Sequence, residues 1–222
     1  MTRPTSLHVK RFGLRDYQPI FELMQSWSAQ RSSETTDQLW LLEHRPVYTQ
    51  GRNGKPEHVL NPGNIPIVQV DRGGQVTYHG PGQLMVYLML DVKRGGWGVR
   101  QIVSAMEQAV ISLLEDYGVH AFADKNAPGV YVEQGKISAL GLRVKNGCSY
   151  HGLSLNLDMD LAPFAGINPC GYAGLNVIRL IDLVDFQRQK LEDKLVEHLA
   201  NALGYSRIQW DDEITEVENN DV

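Results

Sequence analysis

The chain has 222 residues, of which 42% are hydrophobic and 21% charged, so it can bury a core of its own and lacks the composition of a disordered protein. Its formal net charge of -5 gives no overall attraction to nucleic acid or to an anionic membrane. Two cysteines, Cys148 and Cys170, are too few for a disulfide framework and are typical of a reducing compartment.

The sequence also bears on location and domain organisation. The first residues lack the apolar core of a signal peptide, and the longest apolar run, Leu84–Leu90, is far shorter than the stretch of about 20 residues that crosses a bilayer. Neither a repeat nor a Pro/Ser-rich linker divides the chain. We therefore expect a cytoplasmic protein with a single domain over residues 1–210, followed by an acidic, flexible tail over residues 211–222.

Strand patterns and amphipathic helices alternate along the chain. The first helix is predicted to start after Asp16 as N-cap, and the apolar stripes of the other two helices stop at Gly118 and Gly204. The strands are predicted over Leu7–Phe12, Gln38–Glu43, Ile65–Val70, Gln83–Leu90, Val130–Glu133, Lys136–Val144 and Ser149–Leu157. The apolar helix faces comprise Tyr17, Ile20, Met24 and Trp27, then a stripe from Val99 to Tyr117, then Leu191, Leu195, Leu199 and Leu203. The Asn146-Gly147 step is typical of a tight hairpin, so the strands on either side of it should be antiparallel.

The segment from Asp71 to Gln83 carries four glycines around two side chains that could contact a ligand, Arg72 and His79. Glycine lets backbone N–H groups approach a ligand closely. A strand follows this segment instead of a helix, and the Gly-Lys-Ser/Thr sequence of a P-loop is missing, so it is not a dinucleotide fingerprint or a P-loop. It is either a hairpin with tight turns at both ends or a substrate-binding loop.

Cys170 lies between Pro169 and Gly171, a setting that favours an irregular loop over a packed strand. A substrate can reach a thiol in such a loop. A single cysteine is more often a small buried hydrophobic residue, and Cys148, at the start of a predicted strand, fits that interpretation better.

A nucleophilic thiol needs a neighbour that accepts its proton, because only a few per cent of an ordinary thiol is ionised near neutral pH. The sequence offers His79, His151 and Lys136. The lysine begins a run of small and apolar residues that predicts a partly buried floor, where desolvation suits an amine to proton transfer. A histidine in a strand is more often structural than catalytic.

Two other uses of these residues are disfavoured. Cys148 and His151 form one Cys-x-x-His pair, but no second pair stands at a suitable spacing, so we expect no structural zinc site and no other metal. Only His198 follows Cys170 in the chain, and the residues that surround a papain-like nucleophile are missing.

A set of motifs in chain order resembles the lipoyl(octanoyl) transferases. They are Leu42-Glu43-His44-Arg45-Pro46-Val47-Tyr48-Thr49-Gln50-Gly51-Arg52, Arg72 to Gln83, Pro128-Gly129-Val130-Tyr131-Val132, Gly135 to Leu142, His151-Gly152-Leu153-Ser154-Leu155-Asn156 and Asn168-Pro169-Cys170-Gly171. The match runs from about Leu42 to Leu175, and the combination is far more specific than any single motif.

The resemblance implies transfer of an octanoyl group from octanoyl-acyl carrier protein to a lysine of lipoyl domains, such as those of 2-oxoacid dehydrogenase complexes and the glycine cleavage H protein. It implies an α/β (α+β) domain like the catalytic fold of biotin and lipoate ligases, with a mixed, mostly antiparallel sheet and flanking helices. Cys170 would be the acyl-accepting nucleophile and Lys136 its acid/base partner, with no cofactor. The implied binding residues are Arg72, Gly73, Gly74, Gln75, Val76, Thr77, Tyr78, His79, Ala139, Leu140, Gly141, Gly152, Leu153 and Ser154.

Docking and two rival functions remain open at this point. Because the chain is acidic overall, an acidic carrier protein needs a local basic rim, for which Lys93, Arg94, Arg143 and Lys145 are candidates.

An ATP-dependent lipoate ligase shares the implied fold but needs no thiol nucleophile, so the motif around Cys170 argues against it. A non-catalytic protein that binds lipoyl domains or acyl carriers is the other alternative.

Overall fold

The structure is a computed structural model that describes residues 4–125 and 127–214, with side chains described as far as Asp211. The strands are β1 (Ser6–Arg15), β2 (Asp37–His44), β3 (Val47–Gln50), β4 (Ile67–Gln69), β5 (Val76–His79), β6 (Gln83–Met89), β7 (Phe122–Ala123), β8 (Val130–Val132), β9 (Gly135–Lys145), β10 (Cys148–Asn156) and β11 (Arg207–Ile214). The helices are α1 (Tyr17–Gln30), α2 (Val92–Gly95), α3 (Val99–Asp116) and α4 (Arg188–Leu203). Short 3₁₀ turns cover Pro56–His58, Ala162–Gly166, Pro169–Gly171 and Leu180–Asp182.

The strands form two sheets. Eight of them lie in the order β11-β1-β2-β6-β10-β9-β8-β7, and the other three in the order β4-β3-β5. In the large sheet β1 is parallel to both of its neighbours and every other pair is antiparallel. The expectation of a mixed, mostly antiparallel sheet with flanking helices is therefore confirmed. The Asn146-Gly147 turn joins β9 and β10 as predicted, with Lys145 opposite Cys148.

The centre of the large sheet is buried on both faces. Along β6, Leu84, Val86 and Leu88 join the apolar cluster that includes α3 and α4, whereas Met85 and Tyr87 join the cluster that includes α1. A strand covered on both faces has a nearly continuous apolar sequence, which explains the long apolar run at this position. Among the described residues, no helix is long and apolar enough to cross a membrane.

Some boundaries differ from those that the sequence predicts. β3 and β5 have no counterpart among the predicted strands, because four residues between turns show too little periodicity to be recognised. β11 runs parallel to β1 as far as Ile214, so residues 211–214 belong to the sheet and not to the predicted acidic tail. An edge strand tolerates such charges, and Asp211 pairs with Lys10 at 3.3 Å. The remainder of the predicted tail lies outside the described residues.

A buried charge cluster ties several elements to the end of β2. Asp37 is fully buried, and its carboxylate pairs with Arg31 and, at 3.0 Å, with Arg94. It also accepts hydrogen bonds from the Tyr205 hydroxyl at 2.7 Å and from the backbone N–H of Asp91 at 2.8 Å. These contacts link the residues that follow α1 and α4, and the start of α2, to the sheet. Both carboxylate oxygens have partners, as a buried ion pair requires.

Removal of the Asp37 carboxylate should destabilise the fold strongly. Asp37→Ala leaves two guanidinium groups without their acceptor, and breaking a buried ion pair in this way costs about 3–5 kcal/mol. We expect a loss of that order in the free energy of unfolding measured by urea denaturation. Asp16→Ala is the control, because Asp16 occupies the N-cap of α1 without a side-chain cap bond and its pair with Arg45 is exposed. Similar stabilities for the two variants would show that the cluster contributes little.

Candidate active site

An amine and a thiol lie in contact at one end of β9. Lys136 Nζ is 3.1 Å from Cys170 Sγ and donates a hydrogen bond of 2.9 Å to the carbonyl oxygen of Pro128. The lysine is only 4% exposed, whereas Cys170 is partly exposed. A buried amine within hydrogen-bond reach of an accessible thiol can accept the proton of that thiol. The fold thus closes a separation of 34 positions in the sequence.

The return of the chain after β10 creates this contact. The backbone N–H of Lys136 donates to the Asn176 carbonyl at 2.9 Å, and its carbonyl accepts from the N–H of Ile178 at 3.0 Å. The turn that precedes this segment holds Cys170 at φ 57° and ψ 14°, a left-handed conformation uncommon outside glycine. Such strained residues persist where their surroundings hold them, and they concentrate at functional sites.

The thiol and the amine border a pocket of about 410 Å³, within the range of roughly 300–1,000 Å³ typical of small-ligand sites. β9 and β10 form one wall, with Ala139 opposite Ser154 and Leu142 opposite His151. At ~3.3 Å per residue, Leu142 lies roughly 20 Å along β9 from Lys136. The lining includes the apolar side chains of Val76, Met85, Val99, Val103, Leu140, Leu142 and Leu153.

All the binding residues implied by the resemblance line this pocket except Tyr78. The Tyr78 ring instead packs against Tyr48 and Phe164, each with ring centroids 5.5 Å apart. Successive side chains of a strand point to opposite faces, so the residues on either side of Tyr78, Thr77 and His79, face the pocket while the tyrosine does not. The Tyr78 side chain therefore packs in the core and does not line the pocket.

A pair of glycines gives the pocket wall its shape. Gly141 and Gly152 lie opposite each other on β9 and β10. A Cβ atom at Gly152 would lie 2.1 Å from the carbonyl oxygen of Val86, so no side chain fits at this position. At Gly141 a Cβ atom would lie 3.1 Å from Arg72 Cδ, so the two glycines let the β6 backbone and the Arg72 side chain pack closely against the pocket wall.

Arg72 lines the pocket, but its guanidinium holds the glycine-rich segment together. It donates to the Thr49 carbonyl at 2.8 Å, to the Thr49 hydroxyl at 2.9 Å, and to the carbonyl oxygens of Gln75 and Gly73 at 2.9 Å. The residue is 9% exposed, and burial lowers the pKa of its guanidinium. Arginine can make all of these hydrogen bonds because its planar, rigid guanidinium carries five N–H donors that point in different directions. These hydrogen bonds fix the shape of the loop.

The two histidines considered as proton acceptors have other partners. His79 Nδ1 lies 2.7 Å from Gln83 Oε1, and its Nε2 lies 3.1 Å from the Thr49 hydroxyl. His151 Nε2 lies 3.1 Å from an Asp71 carboxylate oxygen. Burial lowers the pKa of both histidines, and that of His79 falls well below its usual value. Of the three candidates, Lys136 is the one that the fold brings to the thiol.

Asp71 fastens the glycine-rich segment to β10. Its carboxylate accepts a hydrogen bond from the Tyr150 hydroxyl, bonds His151, and lies 3.8 Å from the Arg143 guanidinium. Burial by itself raises the pKa of Asp71, but the hydrogen bonds and charges of these partners outweigh it and hold the pKa at about 2. Because Asp71 directly precedes Arg72, this cluster fixes the loop against the pocket wall.

Cys148 is buried at the start of β10, and burial raises the pKa of its thiol. This agrees with its interpretation as a small core residue. His151, the other member of the Cys-x-x-His pair, forms a hydrogen bond with Asp71. Within residues 4–125 and 127–214, no group of three or more His, Cys, Asp or Glu side chains could hold a metal ion.

The four basic rim candidates do not surround the thiol. Arg94 and Arg143 are engaged with the carboxylates described above. Lys145 ends β9, nine positions and roughly 30 Å beyond Lys136. Lys93 lies beside the same turn, since its Cβ is 3.5 Å from the position that a Cβ would take at Gly147. These cations therefore border the end of β9 far from Cys170.

Several pocket residues carry no functional signal in the sequence. Tyr17 from α1, Met85 and Tyr87 from β6, and Val99 and Val103 from α3 all line the pocket. Each belongs to an apolar face that looks like ordinary core, because an apolar helix or strand face is the same pattern whether it meets protein or ligand. Pro128, which bonds Lys136, does lie in one of the motifs that carry the resemblance.

The chain is similar to known proteins over most of its length. The family model described as the lipoyl protein ligase A/B catalytic domain matches residues 16–200. Proteins named octanoyltransferase from Pseudomonas putida (strain W619) and Dechloromonas aromatica (strain RCB) are 57% and 56% identical, over 88% of this chain and 94% and 96% of their own. That of Shewanella sp. (strain ANA-3) is 53% identical over 92% of this chain and 94% of its own.

Solved structures share the fold at low sequence identity. Lipoate-protein ligase A bound with ATP superposes with a TM-score of 0.74 at 15% identity, covering 98% of this chain and 91% of its own. The bi-partite lipoate protein ligase from Thermoplasma acidophilum gives a TM-score of 0.72 at 15% identity, with coverages of 98% and 89%. Biotin protein ligase from Aquifex aeolicus gives 0.57 at 12% identity, with coverages of 89% and 68%. The expected ligase-like fold is confirmed.

The contact between Lys136 and Cys170 predicts a reactive thiol. Only the thiolate attacks an alkylating reagent, and Lys136→Met removes the proton acceptor while keeping a long side chain. We expect alkylation of Cys170 by iodoacetamide at pH 7 to slow by about tenfold or more, followed by intact mass in a Cys148→Ser background. Lys190→Met, at an exposed position of α4, is the matched control. Equal rates in the two lysine variants would exclude Lys136 as the activating group.

Three buried histidines predict that acid destabilises the fold. Burial lowers the pKa of His44 to about 4, and it also lowers the pKa values of His79 and His151. A histidine whose pKa in the folded protein lies below its unfolded value of ~6.5 binds fewer protons when folded. Its contribution to the free energy of unfolding is therefore complete above pH ~6.5 and is lost as the pH falls toward the pKa of the folded state. We expect the free energy of unfolding in urea to decrease from pH 7 to pH 5, and His44→Gln to make this decrease smaller. A flat profile would be inconsistent with neutral buried histidines.

Proposed function

The chain belongs to the lipoyl protein ligase A/B catalytic-domain family, and we propose that it is an octanoyltransferase of protein lipoylation that carries the acyl group as a thioester on Cys170. The contact between Lys136 and Cys170 is the observation that carries the proposal. Relatives named octanoyltransferase at above 50% identity support octanoyl as the acyl group. The donor is octanoyl-acyl carrier protein, and the acceptor is a lysine of a lipoyl domain, such as those of 2-oxoacid dehydrogenase complexes and the glycine cleavage H protein.

In the first half-reaction the thiol takes the acyl group from the donor. Lys136 Nζ accepts the proton of Cys170, and the thiolate attacks the carbonyl carbon of the octanoyl thioester. The bond from this carbon to the sulfur of the donor breaks as the tetrahedral intermediate collapses. The Lys136 ammonium returns the proton to the departing thiolate. One thioester replaces another, so this step is nearly balanced in free energy.

In the second half-reaction the acyl group moves to nitrogen. The amine of the acceptor lysine attacks the carbonyl carbon of the Cys170 thioester, and Lys136 takes up the proton that the amine loses. The bond between carbon and Sγ breaks, an amide forms, and Lys136 returns the proton to the thiolate. An amide is more stable than a thioester, so the second step drives the transfer without ATP. The chain's own residues thus supply each proton acceptor and donor.

The pocket suits a short acyl chain. Its apolar lining, including Val103, Leu140 and Leu153, can cover the seven carbons beyond the carbonyl. At about 0.8 kcal/mol per methylene, their burial contributes roughly 5 kcal/mol before losses of entropy. One methylene changes binding by only about 1–3 kcal/mol, so acyl chains close to octanoyl should react more slowly without being excluded.

The two rival functions make different demands on the site. A ligase that activates its acid as an adenylate needs no thiol in contact with a buried amine, and the fold shared with lipoate ligases does not choose between the two chemistries. A non-catalytic binding protein gains nothing from a cysteine held in a left-handed turn beside Lys136. The pairing of these two groups therefore favours the transferase.

The covalent intermediate provides the direct test. Incubation with octanoyl-acyl carrier protein alone should add the mass of one octanoyl group to the protein, because the thioester accumulates when no acceptor is present. We expect Cys170→Ala to abolish this gain and Cys148→Ser to leave it unchanged. Intact mass spectrometry follows both variants and the parent protein.

Other results would select a rival function. No mass gain in the parent protein would favour the non-catalytic binder. Loss of the adduct in Cys148→Ser alone would show that Cys148, and not Cys170, carries the acyl group. Transfer to a lipoyl domain should proceed without ATP and Mg²⁺. A strict requirement for them would favour the ligase.

A further inference from the structure

One peptide group stands between Lys136 and a carboxylate on α3. The carbonyl oxygen of Pro128 accepts the 2.9 Å hydrogen bond from Lys136 Nζ, and the N–H of Gly129 donates to Glu107 Oε1 at 3.4 Å. These two groups are the opposite ends of a single planar peptide unit, so they point in opposite directions. The peptide therefore links the amine of the site to Glu107, a residue that does not itself line the pocket.

The peptide unit packs tightly on the lysine side chain. A Cβ atom at Gly129 would lie 2.4 Å from Lys136 Cε and 2.9 Å from its Nζ, and the glycine has φ 148°, which side chains rarely adopt. Any displacement of this segment therefore moves the lysine or opens a gap beside it. The position of Lys136 depends on what holds the Pro128–Gly129 peptide in place.

Glu107 is placed to hold it. The residue lies one turn beyond Val103, which lines the pocket, so α3 presents both to the same side. Glu107 is partly buried, and the N–H of Gly129 is its only hydrogen-bond donor among the described residues. Burial raises the pKa of its carboxyl group, and the charge of Lys136 acts in the opposite direction. Its partly buried carboxylate thus bonds the same peptide whose carbonyl oxygen accepts the hydrogen bond from the Lys136 amine.

We propose that Glu107 is a positioning residue for Lys136: its carboxylate fixes the Pro128–Gly129 peptide so that the carbonyl oxygen holds the lysine amine against Cys170. The inference rests on the proposed function for its catalytic meaning, but the contacts that it invokes are independent of any acyl donor. The hydrogen bond from Gly129 is long at 3.4 Å, but its acceptor is a carboxylate, and hydrogen bonds to ionised acceptors are stronger than those between neutral groups.

The reactivity of the Cys170 thiol tests this link directly. In a Cys148→Ser background, Glu107→Ala should slow alkylation of Cys170 by iodoacetamide by about tenfold, because a displaced lysine supports less thiolate. Glu107→Gln keeps an oxygen acceptor of the same reach and should restore the rate to within about threefold of the parent. Gly129→Ala, which acts on the same peptide from its other side, should also slow the reaction. Glu115→Ala, at an exposed position of α3, is the matched control and should change nothing.

A double-mutant cycle separates positioning from a general structural effect. In a Lys136→Met background, Glu107→Ala should cause no further slowing, since no amine remains to be positioned. Loss of the same factor in both backgrounds would overturn the proposal, as would an unchanged rate in folded Glu107→Ala. In transfer assays the Glu107→Ala variant should lose kcat with an unchanged KM for the donor. If the parent protein forms no acyl adduct while this cycle holds, the octanoyltransferase proposal fails and the positioning role stands.

Discussion

The site depends on a contact of 3.1 Å between the amine of Lys136 and the sulfur of Cys170. The amine sits at the start of a long strand, and the sulfur sits in a turn of three residues that the chain forms after it has left the sheet. Neither element fixes the other by local geometry. The contact exists because the segment after the turn pairs with the backbone of Lys136 itself, through hydrogen bonds to Asn176 and Ile178. Much of the remaining architecture serves to keep this part of the chain in place.

The sheet supplies a rigid base because its centre is buried on both faces. Every residue of β6 and β10 is buried, so a shift of either strand would break packing against α1 on one face and against α3 and α4 on the other. The pocket lies against this dense region, where Gly141 and Gly152 let the Arg72 side chain and the β6 backbone approach β9 and β10 closely. The glycine-rich segment completes the pocket, and Arg72 and Asp71 stabilise it from within.

The sequence predicts some parts of this structure better than others. Strongly periodic elements such as α3 and α4, and the hairpin at Asn146-Gly147, follow from patterns within a few residues of each other. Short strands such as β3 have too few residues to show a periodic pattern. The proline and glycine that flank Cys170 predict an irregular turn, but only the motif resemblance singles out its partner, Lys136. Which side chains of β5 line the pocket depends on how this strand packs in the fold. The sequence therefore could not separate Tyr78, which lies in the core, from Thr77 and His79, which line the pocket.

Charges are treated in two different ways in the interior. Asp37 meets Arg31 and Arg94 directly, and these ion pairs make the cluster a fixed structural link. Lys136 forms no ion pair with a described carboxylate; its amine meets a peptide carbonyl and a thiol, and Glu107 lies on the far side of the peptide. A carboxylate in direct contact would bind the proton of the amine more firmly and oppose its release. In the proposed mechanism Lys136 takes up a proton and returns it in each half-reaction, and its neighbours Pro128 and Cys170 do not pair its charge. In our proposal the peptide group between Lys136 and Glu107 orients the amine without a direct ion pair, whereas the Asp37 cluster uses direct ion pairs to hold the fold together.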